Sequence, residues 1–174
     1  MGADKRLESF HEVLPGLGRL PCAHEQRAAP LRETFVVVGW VKSNAHLRWM
    51  LKTDNYNFRM GSTPGALRLS AQVVGATYLM LHGDKGDAVP GLLRIINPAD
   101  GPQVHSAAEL VAMGYPTPPT QASTLVYDVE PAADFDGMGW DYEALPDKPV
   151  SAALGRPFAT SLHDLLLVSK RVML

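Results

Sequence analysis

Apolar and polar positions are patterned most clearly between residues 34 and 60. Residues 34–42, TFVVVGWVK, are β-branched, apolar or aromatic almost without interruption, which is typical of a strand buried on both faces of a sheet. In residues 56–60, YNFRM, large apolar side chains alternate with polar ones, as in a half-buried strand. The sequence therefore predicts two strands here, separated by a short segment.

The segment between these strands has the spacing of a helix. Ser43 and Asn44 are residue types that cap helix N-termini, and we predict a helix over residues 45–52. Three residues lie at i, i+3 and i+4 on one side of it: His46, Trp49 and Met50. On the other side Arg48 and Lys52 are four residues apart. The pattern predicts a helix with one aromatic side and one cationic side.

Further elements follow from turn residues and capping patterns. Ser106 and Glu109 form a capping-box pattern before a helix that ends at Gly114. The predicted strands cover residues 77–82, 92–96 and 123–130. Residues 66–74 fit either a strand or a helix. A short helix is predicted from Lys5 to Val13, and a last helix over residues 161–170 with Ser161 as its cap.

The order of these elements mixes hairpin-like with crossover connections. It favours a single α+β domain with a mixed or mostly antiparallel sheet of about five strands and two to four helices. A curled, barrel-like sheet is the main variant. We expect residues 1–33 to form an N-terminal helix and arm, and residues 34–174 to form the domain.

Composition places the chain among ordinary globular proteins. Hydrophobic residues make up 46% and charged residues 20% of the 174 positions. Cys22 is the only cysteine, which excludes an intramolecular disulfide and fits a reducing compartment. The N-terminus lacks the apolar core of a signal peptide, and the longest apolar runs are too short to span a bilayer. We therefore expect a cytoplasmic protein without a membrane partner.

Charge is distributed unevenly along the chain, although the net charge is only −2. From Arg27 to Arg68 there are seven basic side chains and two acids, whereas Asp128 to Asp147 holds seven acids and no base. Such asymmetry is typical of a surface that binds a polyanion, and equally of two segments that face each other within the fold.

Common catalytic and cofactor motifs are absent from the sequence. It contains no P-loop, dinucleotide-binding, zincin or hydrolase-elbow pattern. Asp134, Asp136 and Gly139 match three positions of a calcium-binding EF-hand loop, but Met138 and Leu145 occupy ligand positions. No histidine pair has metal-ligand spacing. We expect no metal and no cofactor.

The best candidate site is the strand–helix–strand segment and its continuation. Aromatic side chains there offer stacking surfaces for bases, Arg and Lys neutralise phosphates, and an asparagine can hydrogen-bond a base edge. The predicted ligand-binding residues are Trp40, Lys42, Tyr56, Asn57, Arg59 and Arg68. The alternative is that the aromatic residues are core and the cations only solvate the surface.

Three functions fit these features. The leading hypothesis is a module of a larger, bacterial-type system that binds nucleic acid or another phosphate-bearing ligand through the basic and aromatic surface. The second is a metal-independent phosphodiesterase or nuclease, with His46 as general acid or base and Arg59 as transition-state stabiliser. The third is a protein-interaction domain that uses the acidic segment Asp128–Asp147.

Overall fold

The computed structural model describes most of the chain after residue 29. The described residues are 30–59, 70–83, 88–96, 101–116, 123–150, 152 and 156–171. The chain divides into two units, Met1–Pro30 and Leu31–Leu174. The predicted helix from Lys5 to Val13 lies outside the described residues.

Nine strands and four α-helices form the described part of the second unit. The strands are β1 (Phe35–Trp40), β2 (Asn55–Arg59), β3 (Tyr78–His82), β4 (Leu93–Ile95), β5 (Gln103–Ser106), β6 (Ser123–Pro131), β7 (Met138–Trp140), β8 (Phe158–Ser161) and β9 (Ser169–Arg171). The α-helices are α1 (Asn44–Thr53), α2 (Ala71–Val74), α3 (Ala107–Ala112) and α4 (Leu162–Leu167). A 3-10 turn covers Ala133–Phe135, and residues 30–33 are helical.

Seven of the strands form one open, mixed sheet. Its order is β2-β6-β4-β3-β1-β8, and β5 also pairs with β6. Only β1 and β3 are parallel among these pairs, and the others are antiparallel. Strands β7 and β9 form a separate antiparallel pair. The predicted α+β class with a mostly antiparallel sheet is confirmed, with more strands than expected and without closure into a barrel.

Hydrophobic packing on both faces explains the apolar run in β1. Val37 belongs to one buried cluster, whereas Val36 and Val38 belong to a second cluster, and all three side chains are fully buried. Because successive strand residues point to opposite faces, the sheet is covered on both sides at β1. The expectation of a strand buried on both faces is therefore confirmed.

The elements missing from the sequence prediction are short. Strands β7 and β9 have three residues each, and β5 and β8 have four, too few for a clear alternation of apolar and polar positions. The predicted helix over residues 161–170 is capped by Ser161, as expected, but ends at Leu167. Its last residues instead enter β9, because Ser169 pairs with Trp140 of β7.

In the described ranges, no helix is both long enough and apolar enough to cross a membrane.

Candidate functional site

The candidate site is built by β1, α1 and β2, which follow one another in the chain. At the end of β1, Trp40 pairs with His82 at the end of β3. Ser43 begins α1 as its N-cap, since the side-chain oxygen accepts a hydrogen bond from the His46 amide at 3.2 Å. Asp54 ends α1 in the left-handed conformation with φ of 55°. This turn brings β2 back along the helix to pair with β6.

A buried histidine links all three parts of this unit. His46 is 4% exposed, and its Nε2 lies 2.8 Å from Oδ1 of Asn57 on β2, which is itself 9% exposed. The backbone N–H of Lys42 donates to Nδ1 of His46 at 3.4 Å. Because an amide N–H can only donate, Nδ1 is unprotonated, and Nε2–H donates to Asn57. His46 is therefore a neutral imidazole that ties the β1–α1 connection to β2.

The surroundings of His46 favour its neutral form. Burial, the largest cause, lowers the pKa of His46 below its ordinary value of 6.5, and the positive charge of Lys42 lowers it further. The hydrogen bond to Asn57 opposes these effects in part. Protonation of Nδ1 would also break the hydrogen bond from the Lys42 amide.

Aromatic rings from α1 and from the turn after α3 enclose this histidine. His46 stacks on Trp49 with ring centroids 6.1 Å apart, and Tyr115 meets both rings edge-on, at 5.7 Å from His46 and 4.9 Å from Trp49. The indole N–H of Trp49 donates to the carbonyl of Met113 at 2.9 Å. The ring of Trp49 is thus fixed in the core between two helices.

A glycine turn places Tyr115 in this cluster. Gly114 has φ of +77°, and its amide donates to Val111 O while the Tyr115 amide donates to Leu110 O. These two hydrogen bonds form a Schellman motif, which reverses the chain after the helix. The prediction that Gly114 ends this helix is confirmed, and the capping box of Ser106 and Glu109 is also present.

Tyr56 is buried under β1 and does not reach the surface. It is 1% exposed, and its hydroxyl accepts a hydrogen bond from the Trp40 amide. Burial raises the pKa of Tyr56 above its ordinary value. A Cβ on Gly39 would clash with the Tyr56 hydroxyl, so this position of β1 requires glycine.

The outer side of α1 is exposed and cationic. Its exposed residues are Asn44, Ala45, Arg48, Leu51 and Lys52. Lys42, just before the helix, is also exposed, and the first turn contains no acid. Within the described ranges, Arg48 and Lys52 have no ion-pair partner. The predicted two-sided helix is present, with aromatic groups inside and cations outside.

The six predicted ligand-binding residues have different environments. Lys42 is exposed and Trp40 is half-buried, whereas Tyr56 and Asn57 are buried and hydrogen-bonded within the protein. Arg59 ends β2, but its side chain lies outside the described part of the chain, as does Arg68. The structure thus places Tyr56 and Asn57, like His46, in the packed interior rather than on a ligand surface, whereas Trp40 stays partly exposed.

The geometry around His46 does not favour its proposed catalytic role. A general acid or base must come within hydrogen-bond distance of the substrate, but both ring nitrogens of His46 contact groups of the protein itself. The neutral ring is enclosed by Trp49 and Tyr115. His46 therefore has a structural position in this conformation.

In the acidic segment Asp128–Asp147, several acids form ion pairs with bases that lie outside the base-rich range Arg27–Arg68. Glu130 pairs with Arg94, Asp141 with Lys170, and Glu143 with Lys148. These pairs hold the segment to neighbouring strands and turns. Hydrogen bonding to Lys170 lowers the pKa of Asp141, which favours its charged form.

Two aromatic residues of the acidic segment, Trp140 and Tyr142, are part of the core. Trp140 is 6% exposed and donates from its indole N–H to the carbonyl of Gly91 at 2.9 Å, and Tyr142 is 8% exposed. Neither ring is presented for docking. Exposed acids such as Asp134 and Asp136 remain at the surface of this segment.

A second buried histidine was not singled out by sequence reasoning. His82 is 7% exposed and stacks on Tyr142 with ring centroids 4.0 Å apart. The ammonium group of Lys148 lies over the Tyr142 ring, 4.6 Å from its centroid. Lys148 also donates to the carbonyls of Tyr142 and Glu143. No spacing in the sequence predicts this stack, because His82 and Tyr142 are far apart in the chain.

A pocket elsewhere on the described surface is lined by residues with a structural role. A surface pocket of about 210 Å³ lies beside β8, and its lining includes Asp164 and Ser161. Those two side chains bind each other at 2.7 Å and cap α4, so they have a structural role. No cluster of three or more metal-ligating side chains is present in the described ranges.

Comparisons with known proteins give no family for this chain. No protein-family model, curated protein or solved structure matches it.

Proposed function

We propose that the protein binds a nucleic acid, or another ligand that carries several phosphate groups, through the outer face of α1 and the turn before it. We call this surface, formed by Lys42, Asn44, Arg48 and Lys52, the α1 surface. The observation that carries the proposal is its exposed positive charge. Exposed lysine and arginine side chains supply the sequence-independent attraction for phosphate backbones.

The arrangement of the acidic segment supports this proposal. Its ion pairs involve Arg94, Lys148 and Lys170, none of which belongs to α1. These ion pairs therefore do not neutralise the positive charges of α1. Asp54, the C-cap residue, places one acid at the C-terminal end of the helix, and the first turn contains none.

The buried polar groups beneath α1 support the same surface from inside. His46 accepts a hydrogen bond from the Lys42 amide and contacts Asn57. This fixes the backbone that carries Lys42 relative to the helix that carries Arg48 and Lys52. A preorganised set of cations loses less conformational entropy when it binds a ligand. Arg59 and Arg68 are proposed to extend the cationic track, and Trp40 to border it.

The proposal is tested by measuring the affinity for a fluorescent DNA oligonucleotide as a function of salt. The variant Lys42→Ala/Arg48→Ala/Lys52→Ala should lose most of the affinity. The slope of log K against log salt should become shallower by about 2 to 3, because each neutralised phosphate releases counterions.

A matched control separates the α1 surface from net charge. The variant Arg94→Ala/Arg156→Ala/Lys170→Ala removes the same number of positive charges from exposed positions elsewhere. It should bind DNA as the wild type does. Equal losses in both triple variants, or no binding by the wild type at low salt, would contradict the proposed function.

A further inference from the structure

Three polar side chains of the α1 surface lie at regular helical positions. Asn44, Arg48 and Lys52 occupy positions i, i+4 and i+8 of a ten-residue helix, and all three are exposed. Residues at this spacing form a stripe along one side of a helix, about 12 Å long at 1.5 Å per residue. The opposite side is the buried side of His46, Trp49 and Met50.

The aromatic rings packed beneath α1 are not available as stacking surfaces. Trp49 is 5% exposed and Tyr56 is 1% exposed. Tyr115 packs edge-on against Trp49. Proteins that bind single strands without sequence preference combine a cationic groove with exposed aromatic rings on which the bases stack. The α1 surface has the cations, while these three rings are packed in the protein.

An exposed cationic helix instead matches the shape and chemistry of a DNA duplex. The major groove of B-form DNA is about 12 Å wide and admits an α-helix. Arginine and lysine pair there with guanine, and asparagine pairs with adenine. The major groove of an RNA duplex is too narrow for side chains to read.

We infer that α1 lies in the major groove of duplex DNA, with Arg48 and Asn44 at the base edges and Lys42 at the phosphate backbone. This inference rests on the proposed function and specifies its ligand. Asn44 and Arg48 belong to the N-terminal half of α1, away from Asp54, so this half approaches the DNA. Lys42 precedes the helix and contacts the strand beside the groove.

The inference is tested with the full chain and three labelled probes of the same sequence: duplex DNA, single-stranded DNA and duplex RNA. Duplex DNA should bind about tenfold tighter than either of the other two. Arg48→Ala should weaken duplex binding by about tenfold, the effect of losing one bidentate base contact. The control Arg156→Ala, at an exposed position outside α1, should leave it unchanged.

Groove occupancy is tested with a duplex whose pyrimidines carry bulky 5-substituents, which fill the major groove. Binding to this probe should fall by about tenfold, as for the loss of base contacts. Equal affinity for the substituted and plain duplexes, or tighter binding of single strands, would overturn the groove assignment and leave the proposed function standing. If none of the probes binds at low salt, the proposed function itself fails. Circular dichroism of each variant checks that it is folded.

Discussion

Helix α1 and the acidic segment Asp128–Asp147 are similar in their buried aromatic residues and different in their exposed charges. Each buries a tryptophan whose indole N–H donates to a backbone carbonyl at 2.9 Å, Trp49 to Met113 and Trp140 to Gly91. Each also stacks an aromatic ring on a buried histidine: Trp49 on His46, and Tyr142 on His82.

Outside, the charges of the two regions are used differently. Acids of the segment pair with Arg94, Lys148 and Lys170, whereas in the described ranges Arg48 and Lys52 of α1 have no such partner. An ion pair within the protein contributes to the fold, and an unpaired exposed charge remains for a ligand. Trp49, Trp140 and Tyr142 thus belong to the core in both regions, and the exposed charge distinguishes a binding surface from a structural one.

The largest expected effect is on stability and tests whether both tryptophans belong to the core. Trp49→Ala and Trp140→Ala should each lower the free energy of unfolding by about 3 to 5 kcal/mol, because each removes a buried ring and leaves a cavity. Urea unfolding measures this loss. Leu51→Ala, at a residue 52% exposed on α1, should change stability by less than about 0.5 kcal/mol. A small effect of Trp140→Ala would mean that this ring is not part of the core.

The next largest expected effect is the loss of stability when the hydrogen bond between Asn57 and His46 is removed. Asn57→Ala should lower the free energy of unfolding by about 1 to 3 kcal/mol, because it leaves the buried Nε2–H of His46 without an acceptor. The loss should be smaller in a His46→Leu background, where there is no donor to satisfy. Additive effects of the two substitutions in a double-mutant cycle would show that the side chains do not interact.

The pH dependence of stability tests the protonation state of His46. Its folded pKa lies below the unfolded value of 6.5, so the unfolded chain binds the proton first as the pH falls. The stabilisation is complete above pH 6.5 and decreases below it, with a slope of at most about 1.4 kcal/mol per pH unit. Unfolding curves of wild type and His46→Leu, recorded between roughly pH 7.5 and pH 5, measure the difference in the free energy of unfolding. Stability of the wild type that rises relative to the variant on acidification would contradict a neutral buried His46.

The smallest expected effect tests whether the exposed charges of the two regions differ in their contribution to stability. Lys148→Ala should lower the free energy of unfolding by about 1 kcal/mol, because this side chain donates to two backbone carbonyls. Arg48→Ala and Lys52→Ala should change stability by less than about 0.5 kcal/mol and instead weaken DNA binding. Loss of stability in these α1 variants would place their charges in the fold rather than in a binding surface.

Local elements of the site were predictable because they depend on neighbouring residues. The run FVVVGW identifies β1, Ser43 identifies the start of α1, and the alternation in residues 56–60 identifies β2. The two-sided character of α1 follows from its helical periodicity alone. Likewise, the capping box and Gly114 mark both ends of the α3 region.

Whether a polar or aromatic side chain is buried could not be derived from such patterns. Tyr56 and Asn57 are residue types that suit a ligand surface, yet β2 contacts α1 and pairs with β6, and both side chains are buried. Asn57 accepts a hydrogen bond from His46, and Tyr56 occupies the space beside Gly39. Burial depends on which distant strand pairs with β2, and that is a property of the whole sheet.

The α+β class, the strand–helix–strand unit and the two faces of α1 follow from the sequence alone, because helix and strand periodicities are encoded within a few residues. The cluster of His46, Trp49 and Tyr115 and the stack of His82 on Tyr142 form only in the folded protein. The same holds for the ion pairs, since Asp141 and Lys170 meet only when β7 pairs with β9. Contacts between residues far apart in the chain depend on the topology of the sheet, which no local pattern specifies.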